Sequence, residues 1–298
     1  MVAAIAVAKL AKSYGAVQAL RSVDLTVEPG EIFGFLGPNG SGKTTAIRCM
    51  LDLIRPSSGT VRIFGLDPRG HSRQCRERVG YLPGELHLDD NETAENALRL
   101  FQALRGRKTD WTRVTSMAER LKLDLWRPIK THSRGNKQKV GVIQALMHQT
   151  DLLLLDEPTS GLDPLMQHAV LDLIRDARTR GATVFFSSHV LSEVEAISDR
   201  VAIIRRGEIV EVTRTESLLA RAARRVTVRF REAVDLARLP DLTCVKQRSQ
   251  PSPTEWLLET RGELDVLIRT LATLPIADMD TERPSLEEIF RGYYEDAP

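Results

Sequence analysis

The stretch "GPNGSGKTT", residues 37–45, decides the fold of this chain. It fits the spacing G-x-x-x-x-G-K-[ST], and it lies between an apolar segment that predicts a strand and an amphipathic segment that predicts a helix. Its glycines leave main-chain N–H groups free to surround a phosphate, and the start of the helix adds a partial positive charge. The stretch therefore predicts a phosphate-binding loop, although a glycine-rich turn from strand to helix shares part of the pattern.

Two side chains of this loop have separate expected roles. Lys43 is expected to reach the β and γ phosphates of a nucleotide, and Thr44 is expected to ligate Mg²⁺. The full set of loop residues expected to bind the nucleotide is Gly37, Asn39, Gly40, Ser41, Gly42, Lys43, Thr44 and Thr45.

A second motif, "LLLLDE" at residues 152–157, ends in two adjacent carboxylates. A buried core strand explains the leucines but not the carboxylates, which would be desolvated and would repel each other unless a cation compensates them. We expect Asp156 to lie beside a bound metal ion, through water, and Glu157 to lie beside the γ-phosphate.

The pattern along the chain predicts an α/β fold with a largely parallel sheet. Short apolar segments alternate with helical segments, among them a helix expected at residues 43–54 and two helices that begin after Thr93 and Asp110. The sequence pattern changes near Arg214, which predicts one domain over 1–213 and a small α/β domain over 214–298. The second domain is expected to end in a helix, "PSLEEIFRGYY".

Composition excludes several classes of function. The net charge of +2 over 298 residues gives no strong field for nucleic acid or an anionic membrane surface. The three cysteines lack the spacing of a zinc site or a disulfide framework. The N-terminus shows no cationic leader, and no apolar run approaches the roughly 20 residues that span a bilayer. These features favour a chain that is soluble by itself in a reducing cytosol.

Taken together, residues from about Val2 to Val212 resemble the nucleotide-binding subunits of ATP-binding cassette (ABC) transporters. The resemblance implies a P-loop NTPase fold of ABC type, with an antiparallel N-terminal β subdomain and a helical subdomain at about 84–150. It also implies ATP and Mg²⁺ as cofactors, and ATP hydrolysis with Glu157 as general base. A lone histidine after a strand is usually structural, but His189 resembles the family's switch histidine, which hydrogen-bonds the γ-phosphate.

Two further positions match nucleotide-binding positions of the family. Tyr14 stands where the family places an aromatic ring that stacks on adenine, and a tyrosine at the surface end of a strand is the alternative. Asp163 ends "SGLD", which resembles the loop that crosses between two subunits.

The stretch "THSRGNKQKVG", residues 131–141, reads neither as a good turn nor as a clean helix. It resembles the family signature, commonly LSGGQ, of which Ser133 and Gly135 are retained. The resemblance implies that these two residues cap the ATP held by a second copy of the chain. A basic, solvated helix end is the alternative. The segment "NKQK" echoes a guanine-reading motif but lacks its carboxylate, so ATP remains the expected nucleotide.

One position departs from the family pattern. After "YLP" the family usually has Gln, which contacts magnesium and the attacking water, whereas this chain has Gly84 followed by Glu85. We expect Glu85 to take over this role after a shift of one residue. The contact is otherwise missing, and Gly84 would also suit an ordinary turn.

The resemblance also implies the partners. Transport requires a separate integral membrane permease, which would dock near residues 81–104 and hold the chain at the cytoplasmic face of the plasma membrane. The C-terminal region is similar to that of export ATPases for drugs, antibiotics, lipids or polysaccharides, and a packing extension that only stabilises the dimer stays open. No nucleic acid partner is expected. The alternative is a non-transport ABC ATPase that acts as a mechanical clamp on ribosomes or DNA.

Overall fold

A computed structural model describes residues 2–106, 109–221, 224–260 and 264–282. The chain divides into two compact units, Met1–Thr213 and Arg214–Pro298. The strands of the first unit are β1 (Ile5–Tyr14), β2 (Val17–Val27), β3 (Ile32–Leu36), β4 (Ser58–Ile63), β5 (Val79–Leu82), β6 (Leu152–Asp156), β7 (Thr183–Ser188), β8 (Arg200–Arg205) and β9 (Glu208–Arg214). Its helices are α1 (Lys43–Met50), α2 (Ser72–Arg78), α3 (Ala94–Arg105), α4 (Trp111–Arg120), α5 (Arg134–Leu146), α6 (Pro164–Thr179) and α7 (Leu191–Ile197).

A six-stranded sheet in the order β5-β6-β7-β3-β8-β9 forms the centre of the first unit. The first five strands in this order pair in parallel. The last strand, β9, follows β8 after only Arg206 and Gly207, a link too short for a parallel crossover. The prediction of an α/β fold with a largely parallel sheet is confirmed.

Three strands of this sheet are buried along their whole length, which explains their continuous apolar sequences. Every residue of β3, β6 and β7 is buried, as expected for strands covered on both faces. Phe33 of β3 and Phe185 of β7 face each other in the pairing and stack with ring centroids 5.8 Å apart. The sheet is thereby a rigid support for the loops at the carboxyl ends of its strands.

A second sheet, in the order β2-β1-β4, is antiparallel. Its apolar face shares one buried cluster with the central sheet and with α1, which contributes Ile47 and Met50. Burial of each of these two side chains stabilises the fold by about 1.5–3 kcal/mol. The helix that follows the glycine-rich loop is therefore fixed between two sheets.

Helix α1 is shorter than the sequence predicts. The expected helix over 43–54 ends at Met50, because Leu51 leaves helical geometry and Asp52 takes a left-handed conformation with φ 53°. The apolar periodicity continues past the end because Leu51 and Ile54 still pack against the core.

The described part of residues 84–150 contains three α-helices, and the caps predicted for two of them are confirmed. Thr93 accepts a hydrogen bond from the N–H of Asn96, and Asp110 accepts one from the N–H of Thr112. The expectation that residues 131–141 are neither one turn nor one clean helix agrees with the structure, because α5 begins only at Arg134 within this stretch. A short 3-10 turn precedes it.

The second unit contains α8 (Thr215–Arg221), β10 (Arg224–Phe230), β11 (Val245–Ser252), β12 (Glu255–Thr260), α9 (Asp265–Leu271) and β13 (Ile276–Glu282). Its four strands form an antiparallel sheet in the order β11-β12-β10-β13. One face packs on α9 around Trp256, whose ring meets that of Phe230 with centroids 4.6 Å apart. The helix predicted over 284–294 lies outside the described residues.

Within the described parts of the chain, no helix combines the length and the apolar character needed to cross a membrane.

Candidate nucleotide site

The glycine-rich loop connects the end of β3 to the first residue of α1, and its backbone requires glycine at two positions. Gly40 and Gly42 have φ of 78° and 111°, a region that other residues adopt at a cost. A Cβ at position 42 would also lie 2.6 Å from the carbonyl oxygen of Ala19. The loop therefore packs tightly against β2 and presents its main-chain N–H groups at the start of a helix, as an anion site requires.

Lys43 is the first residue of α1, and its side chain is 5% exposed. Its Nζ donates to the carbonyl oxygens of Gly37 and Pro38 at 2.6 and 3.1 Å. It also lies 3.2 Å from Oε1 of Glu157, which is 18% exposed. The loop therefore holds a nearly buried ammonium group beside one of the two carboxylates predicted from the second motif.

The other predicted loop residues differ in exposure. Ser41 is buried, and its hydroxyl has no hydrogen-bond partner among the described residues. Asn39 is exposed, while Thr44 and Thr45 are half-buried in the first turn of α1. The hydroxyl of Ser41 is thus an unused polar group within the loop, which fits a loop built to receive a polar ligand.

Asp156 is the last residue of β6, and it is fully buried. Parallel pairing places it opposite Ser187 of β7, whose hydroxyl donates to Oδ1 of Asp156 at 2.6 Å. The second oxygen, Oδ2, is buried and has no partner within the described chain. A buried carboxylate oxygen without a donor is costly unless a cation or water binds it.

This arrangement fits a magnesium ion bound together with a nucleotide. Mg²⁺ prefers oxygen ligands, and at phosphate sites it uses one or two protein side chains, water and phosphate oxygens. Asp156 supplies an unpartnered carboxylate oxygen, and Thr44 supplies a hydroxyl at the start of α1. No group of three or more His, Cys, Asp or Glu residues in the described ranges could hold a metal ion.

Glu157 follows Asp156 in a left-handed conformation with φ 53°, an uncommon backbone for a residue with a Cβ. Its N–H donates to the hydroxyl of Ser187 at 3.0 Å. Its carboxylate meets Lys43 through Oε1 and Nδ1 of His189 through Oε2, the latter at 2.5 Å. The structure therefore brings together three of the residues predicted to be catalytic.

The start of α5 carries the predicted signature residues. Ser133 is exposed and caps the helix, because its hydroxyl accepts a hydrogen bond from the N–H of Asn136 at 3.2 Å. A Cβ at Gly135 would lie 2.7 Å from the carbonyl oxygen of Gly161, so only glycine allows this close packing. The helix N-terminus is thus exposed while its first turn rests on the loop that follows Glu157.

Asp163 and Tyr14 have other contacts in this structure. Asp163 caps α6 by accepting a hydrogen bond from the N–H of Met166 at 3.0 Å, so it has a structural role whether or not it meets a nucleotide. Tyr14 ends β1 with half of its surface exposed, and Nζ of Lys12 lies 4.9 Å from its ring centroid. An exposed ring remains available for stacking.

Gly84 lies close to Asp156. A Cβ at position 84 would lie 3.0 Å from Oδ2 of Asp156, whereas Glu85 is exposed. Gly84 therefore lies beside the unpartnered oxygen of Asp156. Glu85 stays a prediction that only an activity measurement tests.

Two residues of this site were not identified from the sequence. Ser187 bonds both Asp156 and the N–H of Glu157, and Gln138 of α5 donates to the carbonyl oxygens of Glu157 and Pro158. The signal for Ser187 was present, because a polar residue at the end of a buried parallel strand faces the same edge as Asp156. The contacts of Gln138 depend on how α5 packs, which the sequence pattern does not show.

The comparisons with known proteins agree with this geometry. The family described as ABC transporter matches residues 20–160. An ABC transporter ATP-binding protein of Synechocystis sp. is 35% identical over 285 residues, which cover 92% of this chain and 78% of that protein. The ABC transporter ATP-binding protein NatA of Bacillus subtilis is 37% identical over 68% of this chain and 84% of its own length. The bacitracin transport ATP-binding protein BcrA of Bacillus licheniformis is 37% identical over 68% of this chain and 67% of its own length.

Solved structures give the same assignment of fold. The ATP-binding subunit of an ABC transporter superposes with a TM-score of 0.66 at 28% identity, covering 72% of this chain and 91% of that subunit. An ATP-binding cassette solved as a dimer in a post-hydrolysis state, with ADP and phosphate, gives a TM-score of 0.64 at 22% identity. The match covers 71% of this chain and 98% of that cassette. At this identity the second structure is informative about the fold alone.

The predicted ABC-type P-loop NTPase fold and the family resemblance are therefore confirmed, and the chain belongs to the ATP-binding proteins of ABC transporters, a family of ATPases.

Proposed function

We propose that this chain hydrolyses ATP with Glu157 as the general base and drives a separate membrane permease. The observation that carries the proposal is the position of the Glu157 carboxylate, 3.2 Å from Nζ of Lys43 and 2.5 Å from Nδ1 of His189. A carboxylate held beside the lysine of a phosphate loop is placed to polarise a water next to the γ-phosphate. Membership of the ATP-binding proteins of ABC transporters supports ATP as the nucleotide.

The phosphate loop neutralises charge in this proposal. Its N–H groups and the ammonium group of Lys43 bind phosphate oxygens, which would replace Glu157 and the two carbonyl oxygens as partners of Nζ. Asp156 and Thr44 would hold Mg²⁺, which when bound supplies positive charge to the phosphates. Phosphoryl transfer depends mainly on such positioning and neutralisation.

His189 binds the γ-phosphate in this proposal, and its contact with Glu157 determines which ring nitrogen is available for that bond. An ionised carboxylate only accepts hydrogen bonds, so Nδ1 of His189 carries the hydrogen of this contact. The other ring nitrogen then donates to a phosphate oxygen only when the ring is doubly protonated. The pair therefore holds the water-activating carboxylate and the phosphate-binding ring at a fixed separation.

Each ATP site is shared between two chains in this proposal. Ser133 and Gly135 lie at the exposed start of α5, where a hydroxyl and helix N–H groups suit an anionic γ-phosphate. These groups would close the site held by Lys43 of the second copy, so that ATP joins the two chains and hydrolysis releases them. A cassette of the same fold has been solved as a dimer, and a dimer of this chain is part of the proposal.

The permease would dock on the helical region of the first unit. A cavity of about 310 Å³ lies there, lined by Tyr81, Leu86 and Phe101 among others. On α3, Leu100 and Leu104 are 57% and 75% exposed, and exposed apolar side chains beside an apolar cavity suit a protein partner. We place the chain at the cytoplasmic face of the membrane, attached through this contact.

We propose export as the direction of transport. The name of the Bacillus licheniformis relative assigns it to bacitracin transport, and the sequence of the second unit resembles the tail of export ATPases. The transported compound would be chosen by the permease.

The test of the proposed function is Glu157→Gln in the purified full chain. Turnover of ATP should fall by roughly 100-fold or more, the usual contribution of a general base, while ATP binding persists and an ATP-bound dimer accumulates. Glu119→Gln, an exposed change on α4, is the matched control and should keep normal turnover. Near-normal hydrolysis by Glu157→Gln would remove Glu157 from the reaction.

A further inference from the structure

Gln138 connects the signature helix to the backbone of the catalytic loop in the same chain. It lies on α5, it is 9% exposed, and its Nε2 donates to the carbonyl oxygens of Glu157 and Pro158 at 2.9 and 3.2 Å. Because both acceptors are carbonyl oxygens, the side-chain nitrogen of Gln138 must be the atom that faces them. One side chain thus holds two consecutive carbonyl groups of the loop that carries the general base.

The backbone of Glu157 is held on both sides by such contacts. Its N–H donates to the hydroxyl of Ser187, and its carbonyl oxygen accepts from Gln138. Between these two bonds the residue adopts φ 53°, a conformation that persists only where neighbouring groups impose it. The direction of the Glu157 side chain therefore depends on Gln138 as well as on Ser187.

Helix α5 touches the same loop at a second point. Gly135 packs so closely on Gly161 that a Cβ there would lie 2.7 Å from the carbonyl oxygen of Gly161. Gly135 and Gln138 are three residues apart and so lie on one face of the helix. The loop from Glu157 to Gly161 is thus fastened to α5 at both ends, and the helix begins at the exposed Ser133.

We propose that Gln138 is a positioning residue, through which α5 of each chain sets the orientation of that chain's own Glu157. Contact of Ser133 with the ATP held by the second copy would move α5, and Gln138 would transmit this movement to Glu157. ATP bound at one shared site would then align the general base of the other. The inference rests on the proposed function of Glu157 and adds a route by which the two sites communicate.

Mixed dimers with a single working base test the inference. One chain carries Glu157→Gln, so only the other chain's Glu157 supports hydrolysis. Gln138→Met, which has a similar length but no donor, is placed either on the chain with the working Glu157 or on its partner. Gln149→Met, the same change at an exposed residue beyond α5, is the matched control.

The expected result is specific to the chain that carries the change. With Gln138→Met beside the working Glu157, kcat should fall about 10- to 100-fold, the scale of a small misplacement of a catalytic group, with KM for ATP changed by about twofold at most. On the other chain the same substitution should leave kcat within about twofold of the reference. Gln138→Leu, which also lacks a donor, should reproduce this pattern and replaces Gln138→Met if that variant does not fold.

Two results would overturn the inference. Equal losses in both arrangements would mean that Gln138 supports the fold or the signature helix rather than Glu157, and an unchanged kcat beside the working base would mean that it positions nothing. A dimer with Glu157→Gln on both chains tests the proposed function separately. Full activity in that dimer would overturn the assignment of the base itself.

Discussion

Asp156 and Ser187 are joined side chain to side chain at the carboxyl ends of two neighbouring parallel strands, with 2.6 Å between Oδ1 and Oγ. The same hydroxyl accepts the N–H of Glu157 at 3.0 Å. One serine therefore orients the expected magnesium-binding carboxylate and the backbone of the expected general base. Oδ2 of Asp156 is left as the oxygen that faces Gly84.

Ser187→Ala should weaken magnesium binding and stability together. The Mg²⁺ concentration that gives half-maximal ATPase activity should rise roughly 10-fold or more, since loss of a group that orients a metal ligand usually has this effect. The free energy of unfolding should fall by about 1–3 kcal/mol, because Asp156 Oδ1 and the N–H of Glu157 lose their partner. Ser116→Ala, on the exposed side of α4, is the control. An unchanged Mg²⁺ dependence in Ser187→Ala would contradict the role assigned to this serine.

The phosphate loop and the carboxylates could be predicted from the sequence because their chemistry is local. Gly42 is required by its own φ, and Asp156 ends a short run of leucines that favours a buried strand. The caps Thr93 and Asp110 act within three residues along the chain. Such features need no knowledge of tertiary packing.

The rest of the site depends on contacts between distant segments. Ser187 meets Asp156 only because β6 and β7 pair in one register, and Gln138 meets Glu157 only because α5 packs on the loop after β6. The sequence also misled at α1, where apolar periodicity continued after the helix had ended at Met50. Periodicity shows which residues are buried, and the left-handed Asp52 decides where the helix stops.

Glu85→Ala tests the expected shift of the glutamine position. If Glu85 has taken over the role of the family's glutamine, the variant should lower permease-stimulated ATPase activity several-fold more than the basal activity of the purified chain. Glu119→Ala, an exposed carboxylate on α4 outside residues 81–104, is the matched control and should change neither the basal nor the stimulated activity. Equal stimulation of the Glu85→Ala and wild-type complexes would mean that the shift has not occurred.

A substitution at Gly84 distinguishes the role of position 84 from that of position 85. Gly84→Ala adds a Cβ that would lie 3.0 Å from Oδ2 of Asp156, closer than most such contacts. We expect it to raise the Mg²⁺ concentration needed for half-maximal basal activity, with or without the permease. A normal Mg²⁺ requirement in Gly84→Ala would show that the loop moves away from Asp156 at no cost.

Cys49 should make the first unit sensitive to alkaline pH. Burial raises the pKa of its thiol from 9.0 to about 11. Because the folded-state pKa lies above the unfolded one, the stabilisation is complete below pH 9 and is lost as the pH rises towards 11. Cys49→Ala should therefore lose less unfolding free energy than the wild type across this interval.

Urea unfolding at the two ends of that interval measures the difference. A Trp256→Phe background restricts tryptophan fluorescence to Trp111 and Trp126 of the first unit. The cavity left by Cys49→Ala lowers stability at every pH, so the slope with pH is compared rather than the absolute value. Parallel slopes for the two proteins would contradict the shifted pKa.

The shared ATP site is the central claim, and forced mixed dimers of defined chains test it most directly. Lys43→Ala destroys the phosphate loop, and Ser133→Arg blocks the signature. The two substitutions are placed either on separate chains or together on one chain. Because both kinds of dimer contain the same two substitutions, the loss of the α5 cap affects them equally. On separate chains, the substitutions should ruin one shared site and leave the other intact, whereas on one chain they should damage both. The measurement is closure of the dimer at saturating magnesium-ATP, detected as energy transfer between labels on the two chains. We predict strong closure with the substitutions on separate chains, and stronger closure with both on one chain would contradict the account.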